Sequence, residues 1–215
     1  MFHSQFKQDE FLETRVFKGF KNGVFVDVGA YDGVTINNTL YFEKNNNWTG
    51  INVEPITAIY DKLVAARPNC INLNCAVSNN DGTADFICNK GYTEVLSGLK
   101  ADFDARHYQR VLHENNQMGS TTEIIQIQTK KLETIFDEHN IKHVHYLSID
   151  VEGAEFSVIK SINFDKVFID VIDFENNFDD VSIPIIMYLQ SKDYILIHAS
   201  GDIFMIHKQS VFLKR

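Results

Sequence analysis

Short apolar runs alternate with stretches in which apolar residues recur at helical spacing, and this rhythm covers most of the chain. The apolar runs predict strands over residues 24–28, 50–53, 70–77, 84–88, 123–129, 144–149, 167–174, 194–198 and 203–207. The helical spacing predicts helices over residues 37–43, 58–66, 132–138, 154–161 and 183–190. Strands that alternate with helices are typical of a mostly parallel sheet with helices on both faces.

Two short connections refine the topology of this sheet. The turn formed by Asn80, Asp81 and Gly82 predicts that the strand over 84–88 pairs back on the preceding strand as a hairpin. Residues 199–202 alone separate the last two strands, which is too short for a parallel crossover, so we expect those strands to be antiparallel. The predicted fold class is therefore α/β, with a mostly parallel sheet and an antiparallel last strand.

Residues 90–122 interrupt the rhythm, because they combine three glycines with many polar residues and contain only two short patches that could be helical. A long irregular segment in a compact domain is often a lid or a substrate loop, and we predict a variable insertion of that kind. A solvated surface excursion is the alternative. The whole chain, residues 1–215, is predicted to be a single domain, whether it stands alone or belongs to a longer polypeptide.

The composition argues against several classes of partner. The chain has 20 Lys and Arg residues against 29 Asp and Glu residues, and its net charge of -9 would repel nucleic-acid phosphates. No uncharged apolar run reaches the ~18 residues that a membrane span requires. Three cysteines without a CxxC pair indicate free thiols in a reducing compartment, so we expect a cytoplasmic protein.

The most informative motif is a strand that runs into a glycine turn, with the sequence FVDVGAYDG over residues 25–33. In open α/β sheets, ligands bind beyond the carboxyl ends of the strands, and glycines let the backbone approach them closely. Glu54 ends the second strand about twenty positions later, where its carboxylate would accept hydrogen bonds from both hydroxyls of a ribose. A turn that serves only packing is the alternative.

The acids beside this turn decide between ligands. Asp27 and Asp32 would repel a pyrophosphate, and the glycine spacing is GxxxG rather than the GxGxxG of dinucleotide enzymes. S-adenosylmethionine carries a sulfonium and an ammonium group and no phosphate, so it suits these acids. An NAD-binding oxidoreductase and a non-catalytic Rossmann-like interaction module are the alternatives. The joint presence of Asp27, Glu54 and Asp150 argues against the non-catalytic module.

Several motifs in order resemble those of the FkbM-type S-adenosylmethionine-dependent methyltransferases. The resemblance covers nearly the whole chain and rests on SQxxQD at 4–9, FVDVGAYDG at 25–33, NT at 38–39, WxGxxxEP at 48–55, AVS at 76–78, LSGL at 96–99, LSIDVEGAE at 147–155 and FENN at 174–177. It implies a class I methyltransferase sheet of the Rossmann-like type. It also implies O-methylation, in which a methyl group passes to a hydroxyl of a sugar, a glycan or a glycosylated small molecule.

The resemblance further implies a cofactor site. The turn from Asp27 to Gly33 would cradle the methionine part of S-adenosylmethionine, Glu54 would hold its ribose, and an N-terminal helix within residues 1–20 would cap the pocket. The expected cofactor-binding residues are Gln8, Asp27, Gly29, Ala30, Tyr31, Asp32, Gly33, Asn38, Glu54, Pro55, Ala76, Val77, Ser97 and Asp150. For Gln8, a solvated helix face is the alternative. We expect a sugar or glycan acceptor, and a glycosyltransferase that is fused to the protein or acts with it.

A sugar hydroxyl is poorly acidic, so its methylation needs a general base or a metal ion. Asp150 ends a buried strand at the ligand edge and Glu152 follows it, and we predict that these two residues are catalytic. Stabilisation of the helix that begins there is the alternative role. Asp150, Glu175 and Asn176 form an all-oxygen set that suits Mg²⁺, so we predict a magnesium site. Glu175 stands where similar metal-dependent O-methyltransferases have Asp.

Overall fold

A seven-stranded sheet forms the centre of the computed structural model, which describes residues 1–214. The strands are β1 (Val24–Val28), β2 (Thr49–Val53), β3 (Ile71–Leu73), β4 (Ala76–Val77), β5 (Gly82–Lys90), β6 (Gly98–Leu99), β7 (Thr121–Lys130), β8 (His143–Ile149), β9 (Phe168–Glu175), β10 (Tyr194–Ala199) and β11 (Asp202–His207). The central sheet has the order β10-β11-β9-β8-β1-β2-β3. Its neighbouring strands are parallel, except that β11 runs antiparallel to β9 and β10. The predicted α/β sheet with an antiparallel last strand is confirmed.

Helices cover both faces of this sheet, as predicted. They are α1 (Gln8–Phe11), α2 (Leu40–Asn46), α3 (Thr57–Ala66), α4 (Ala105–Met118), α5 (Leu132–Glu138), α6 (Glu155–Lys160) and α7 (Asp179–Ser191). Alternate side chains of β1 face opposite layers, because Val26 and Val28 pack with α5, α6 and α7, whereas Phe25 packs with Phe17 and Trp48. None of the helices within residues 1–214 is long and apolar enough to cross a bilayer.

The predicted single strand over residues 70–77 is wrong. The chain leaves the central sheet after β3 and enters β4, which belongs to a second sheet of order β4-β7-β5-β6. Asn74 accounts for the break, because its side-chain amide donates to the main-chain oxygens of Glu54 and Pro55 at 2.9 and 3.0 Å. The predicted hairpin is also wrong, since β5 pairs antiparallel with the distant strand β7 along its full length.

Residues 90–122 are more regular than predicted. They contain a short 3-10 turn at Glu94–Leu96, β6 and the 14-residue helix α4. Asp104 caps α4 by accepting a hydrogen bond from the main-chain nitrogen of Arg106 at 2.7 Å, and Gly119 ends the helix with a φ of 67°. The pattern hides this helix because its buried stripe, formed by His107, Val111 and Asn115, contains a single apolar residue.

Three helices start at positions other than those predicted. Helix α2 begins at Leu40, after the N-cap residue Thr39, and the Asn37 side-chain oxygen accepts hydrogen bonds from the main-chain nitrogens of Thr39 and Leu40, at 3.0 and 2.9 Å, which fixes the turn before the helix. Helix α7 begins at Asp179, before the predicted start, and Pro184 lies inside it. The N-terminal cap occupies only part of residues 1–20, where α1 continues as a π-helical turn at Leu12–Phe17.

Candidate active site

Four neighbouring parallel strands, β2, β1, β8 and β9, end at the same edge of the central sheet. The register places Val28 beside both Val53 and Ile149, and Ile149 beside Phe174. The next residues of the four strands therefore form one row: Glu54, Gly29, Asp150 and Glu175. This edge is where open α/β sheets bind their ligands.

Gly29 allows the ends of β1 and β8 to approach each other. Its φ is +87°, and a Cβ at this position would lie 1.8 Å from the main-chain oxygen of Asp150. Gly33 has a different reason to be glycine, because its φ is +75° and a Cβ there would lie 2.8 Å from the Arg67 Cγ. Glycine at both positions is thus explained by contacts within the protein, and Gly33 does not line the cavity described below.

A buried polar network fixes Asp27. Its Oδ2 accepts hydrogen bonds from Asn37 Nδ2 at 2.9 Å and from Thr39 Oγ1 at 2.8 Å. The fully buried Arg67 donates to both of these side chains and pairs with Glu43. Burial raises the pKa of Asp27, and the nearby Arg67 charge opposes that rise. The network therefore holds the Asp27 carboxyl in one orientation at the wall of a cavity.

Glu54 is buried at the end of β2. Its Oε1 accepts a hydrogen bond from the main-chain nitrogen of Ile56 at 2.7 Å. Withdrawal from water raises the pKa of Glu54 to about 7, and the charges of Glu94 and Asp27 add to the rise. Nearby, the Tyr31 hydroxyl donates to Glu94 at 2.8 Å. A ligand that donates hydrogen bonds to Glu54 would favour its ionised form.

These elements surround a cavity of about 360 Å³. Ligand pockets for small molecules range from about 300 to 1,000 Å³, so one cofactor-sized molecule fits. The predicted site residues that line the cavity are Asp27, Gly29, Ala30, Tyr31, Asn38, Glu54, Pro55, Ala76, Val77, Ser97, Asp150, Glu152, Glu175 and Asn176. The structure thus brings most of the predicted site together, and the contact of each residue with a cofactor stays a prediction.

Gln8 and Asp32 do not line the cavity. The buried Gln8 amide donates to Asp202 at 2.7 Å, which ties α1 to β11. The Asp32 carboxylate accepts hydrogen bonds at 2.9 and 2.7 Å from the main-chain nitrogens of Val34 and Thr35, which stabilises the turn after β1. Both side chains therefore act within the protein, and their contact with a cofactor also stays a prediction.

Three carboxyl groups meet at one end of the cavity. Asp150, Glu152 and Glu175 bring carboxyl oxygens within 4.8 Å of one another. Partial removal from water, together with the charge of Glu175, raises the pKa values of Asp150 and Glu152 well above their usual range. Burial, together with the charge of Glu155, raises the pKa of Glu175 to about 7. Glu152 also has a φ of 56°, a strained backbone conformation for a non-glycine residue. The cluster can hold a shared proton or a divalent cation.

This cluster differs from the predicted metal-binding set of Asp150, Glu175 and Asn176. The Asn176 side-chain oxygen accepts a hydrogen bond from the Ser182 hydroxyl at 2.7 Å, and its main-chain nitrogen donates to Gly201 at 2.9 Å. Glu152 adds a third carboxyl beside Asp150 and Glu175, and the role of Asn176 as a metal ligand stays a prediction. Asn176 lines the cavity but is already engaged in joining β9 to α7.

Sequence reasoning missed three residues that shape the site. Glu94 lies in the segment that has no clear periodicity, and its place beside Tyr31 depends on the second sheet. Arg67 precedes a proline at the end of a helix, which is typical of an exposed position, so nothing local indicates its burial. Asn37 did carry a signal, because asparagine side chains commonly accept hydrogen bonds from main-chain nitrogens two residues on in turns.

Comparisons with known proteins agree with this geometry. The sequence matches the family described as Methyltransferase FkbM domain over residues 27–196. The crystal structure of Methyltransferase FkbM from Methylobacillus flagellatus KT matches with a TM-score of 0.52 and 14% identity, over 86% of this chain and 44% of that one. A fibrillarin/Nop5p complex matches with a TM-score of 0.42 and 12% identity, over 88% of this chain and 73% of that one, which is too weak to inform the fold. No curated protein matches.

The family match extends from Asp27 to Leu196, and so includes the strand ends that form the cavity. The likeness to the Methylobacillus flagellatus structure shows the fold alone, and this chain spans less than half the length of that protein. The resemblance found in the sequence is confirmed by the family match. The chain belongs to the FkbM methyltransferase family.

Proposed function

We propose that the protein is an S-adenosylmethionine-dependent O-methyltransferase that acts on a hydroxyl of a sugar, a glycan or a glycosylated small molecule. The observation that carries this proposal is the convergence on one cavity of the Gly29 turn, the Glu54 carboxyl and the carboxyl cluster. Membership of a methyltransferase family supports methyl transfer as the reaction.

The residues that line the cavity fit S-adenosylmethionine. The Asp27 and Asp150 carboxyls suit the positive charges of the cofactor, and Glu54 suits its ribose hydroxyls. The buried Asn38 Oδ1 has no hydrogen-bond partner within residues 1–214, so it is available to an ammonium group. Ala76 and Val77 offer a small apolar wall for the adenine. When bound, the cofactor supplies an activated methyl group.

The protein's own part in the reaction is to position the acceptor and to remove its proton. An in-line displacement needs the acceptor oxygen at a near-attack distance of ~3–3.5 Å from the methyl carbon. Asp150 and Glu152 lie at the end of the cavity, and because their pKa values are raised, each is a stronger base in its ionised form than an ordinary carboxylate. We assign to this pair the acceptance of the hydroxyl proton.

We also expect a Mg²⁺ ion to bind at the carboxyl cluster. Asp150, Glu152 and Glu175 would hold it through carboxylate oxygens, which are the ligands that Mg²⁺ prefers. The ion would neutralise the repulsion between these carboxylates and lower the pKa of a bound hydroxyl. Activity that persists unchanged in EDTA would remove the metal from the account and leave the carboxyl pair as the base.

The expected partner and cellular setting are proposals as well. A glycosyltransferase, fused to this chain or acting with it, would supply the glycosylated acceptor. A reducing, cytoplasmic setting is favoured by the free cysteines Cys70, Cys75 and Cys88.

The test of the proposed function is the transfer of a tritiated methyl group from S-adenosylmethionine to carbohydrate. We expect an acid-stable, base-stable methyl ether, and we expect the Asp150→Asn variant to lose at least tenfold in rate. The matched control is Asp61→Asn, which changes an exposed carboxylate on α3 and should leave the rate unchanged. Label that appears on nitrogen or sulfur, or an Asp150→Asn variant with full activity, would contradict the proposal.

A further inference from the structure

A second cavity, of about 120 Å³, adjoins the first. Glu152, Glu175 and Asn177 line both cavities, so the carboxyl cluster stands at their junction. A water needs about 10–15 Å³ by this measure, so the space holds a group of roughly ten non-hydrogen atoms, the size of one sugar ring. The smaller cavity therefore lies beside the larger one, at two of the three carboxyl groups of the cluster.

The walls of the smaller cavity come from the start of α4, the turn after β8 and the start of α7. At Gly153 a Cβ would lie 2.8 Å from the main-chain oxygen of Asp102, so the segment before α4 packs directly on the turn. The Ser157 hydroxyl also donates to Asp102 at 2.6 Å. These contacts hold the segment before α4 against the turn after β8.

Arg106 joins the start of α4 to the start of α7, which form two walls of the cavity. Its guanidinium donates to Asp104 and to Asp180 at distances of 2.8 to 3.1 Å, and it lies over the Phe178 ring, 3.8 Å from the centroid. These pairings join α4 to α7. The two carboxylates also balance the positive charge of Arg106, and Arg106 itself does not line the cavity.

Glu152 provides an independent sign that a ligand belongs here. Its side chain is 9% exposed, and its Oε2 has no hydrogen-bond partner within the described chain, residues 1–214. The nearest basic atom is His107 Nε2, at 3.5 Å, which is too far for a hydrogen bond under the usual geometry. A buried carboxyl oxygen without a partner is costly, and in the metal-free protein a ligand hydroxyl would satisfy it.

The charges around the smaller cavity restrict what it can hold. Its lining includes the acids Asp102, Asp104, Glu152, Glu155 and Glu175, and no Lys or Arg among residues 1–214. Arg110 lines the larger cavity, where its Nε donates to Glu114 at 2.8 Å. An anionic group would meet the carboxyl oxygens of Glu152 and Glu175, which no Lys or Arg of this lining within residues 1–214 pairs, whereas hydroxyl and ammonium groups would meet hydrogen-bond acceptors.

We propose that the smaller cavity is the acceptor subsite and that it holds one ring of an uncharged or amino-substituted sugar, with a hydroxyl directed at Glu152. The subsite excludes phosphorylated sugars and uronic acids. Phe178 and Val181 supply the apolar part of the wall, against which the carbon face of a sugar ring packs. This inference rests on the proposed function, because it names the acceptor class of the same reaction.

The test is ligand-observed saturation-transfer NMR on the full chain loaded with S-adenosylhomocysteine. The probes are methyl glucoside, glucosamine, glucuronate and glucose phosphate, each at the same millimolar concentration. Val181→Phe fills the smaller cavity from α7. The matched control is Ile183→Phe, the same change at an exposed position of the same helix.

We expect signals from methyl glucoside and glucosamine, and at least a tenfold weaker signal from the two anionic sugars. We expect Val181→Phe to abolish the sugar signals and Ile183→Phe to keep them. Equal signals from the anionic sugars, signals that survive in Val181→Phe, or no signal from any probe would each overturn the inference. Calorimetry of S-adenosylhomocysteine on the same samples separates the two claims, because failure of the proposed function appears as lost cofactor binding and failure of the subsite does not.

Discussion

Gly29 illustrates how one residue determines whether the site can form. Replacement by alanine would place a Cβ 1.8 Å from the main-chain oxygen of Asp150, in a backbone conformation that already disfavours side chains. We expect Gly29→Ala to lower the free energy of unfolding by more than about 2 kcal/mol, measured by urea denaturation.

Gly19→Ala is the matched control for Gly29→Ala. Gly19 has a similar φ of +80°, and a Cβ there would meet nothing within 4 Å. This control should therefore show only the backbone cost, about 1 kcal/mol. Equal losses in the two variants would mean that the contact between β1 and β8 is not what requires glycine at position 29.

Glu54 is a second single residue that leads to a prediction, because its ionisation should make cofactor binding depend on pH. Burial raises its pKa to about 7, and hydrogen bonds from ribose hydroxyls favour the ionised form. Below about pH 7 the free protein holds a proton on Glu54 that binding must release. The affinity for S-adenosylmethionine should therefore fall by up to tenfold for each unit by which the pH drops below this pKa, and it should be constant above it.

Calorimetric titrations between about pH 6 and pH 8 measure this dependence. Glu54→Gln removes the titrating group and keeps an acceptor oxygen, so the variant should bind more weakly at pH 8 and show a flatter profile. A wild-type affinity that is constant over this range would show that Glu54 does not change its ionisation on binding.

At the scale of secondary-structure elements, Arg67 joins α3, α2 and the turn after β1. It lies at the end of α3, pairs with Glu43 of α2, and bonds to Asn37 and Thr39 in the turn after β1. Removal of one partner from a buried ion pair typically costs about 3–5 kcal/mol, so we expect Arg67→Met to lose that much stability in urea denaturation. The exposed Lys62 of α3 supplies the control Lys62→Met, which should lose less than about 0.5 kcal/mol.

The elements of the central sheet were predictable because their signals are local. The apolar run at Val24–Val28 and the glycine that follows it predict a buried strand and a turn without reference to the rest of the chain. The pairing of β5 with β7 joins residues far apart in sequence, and no local pattern could reveal it. Helix α4 was hidden for another reason, because its buried stripe carries His107 and Asn115 as well as Val111.

At the scale of the whole molecule, the parallel sheet explains why the site residues were predictable as a group. Strands that run in the same direction end at one edge, so Glu54, Asp150 and Glu175 are brought together by topology alone. The partners of these side chains were not predictable. Glu152 joins Asp150 and Glu175 in the carboxyl cluster, and Ser182 of α7 donates to Asn176, a contact that depends on how α7 packs.

The central claim is that the larger cavity binds S-adenosylmethionine and that Glu54 holds its ribose. The most direct measurement is a calorimetric titration of the wild type and of Glu54→Ala with S-adenosylmethionine, and of the wild type with NAD. We predict micromolar binding of S-adenosylmethionine that Glu54→Ala weakens by at least a hundredfold, about 2.7 kcal/mol, and no binding of NAD. Absence of binding by S-adenosylmethionine, equal binding by both proteins, or binding of NAD alone would contradict the account.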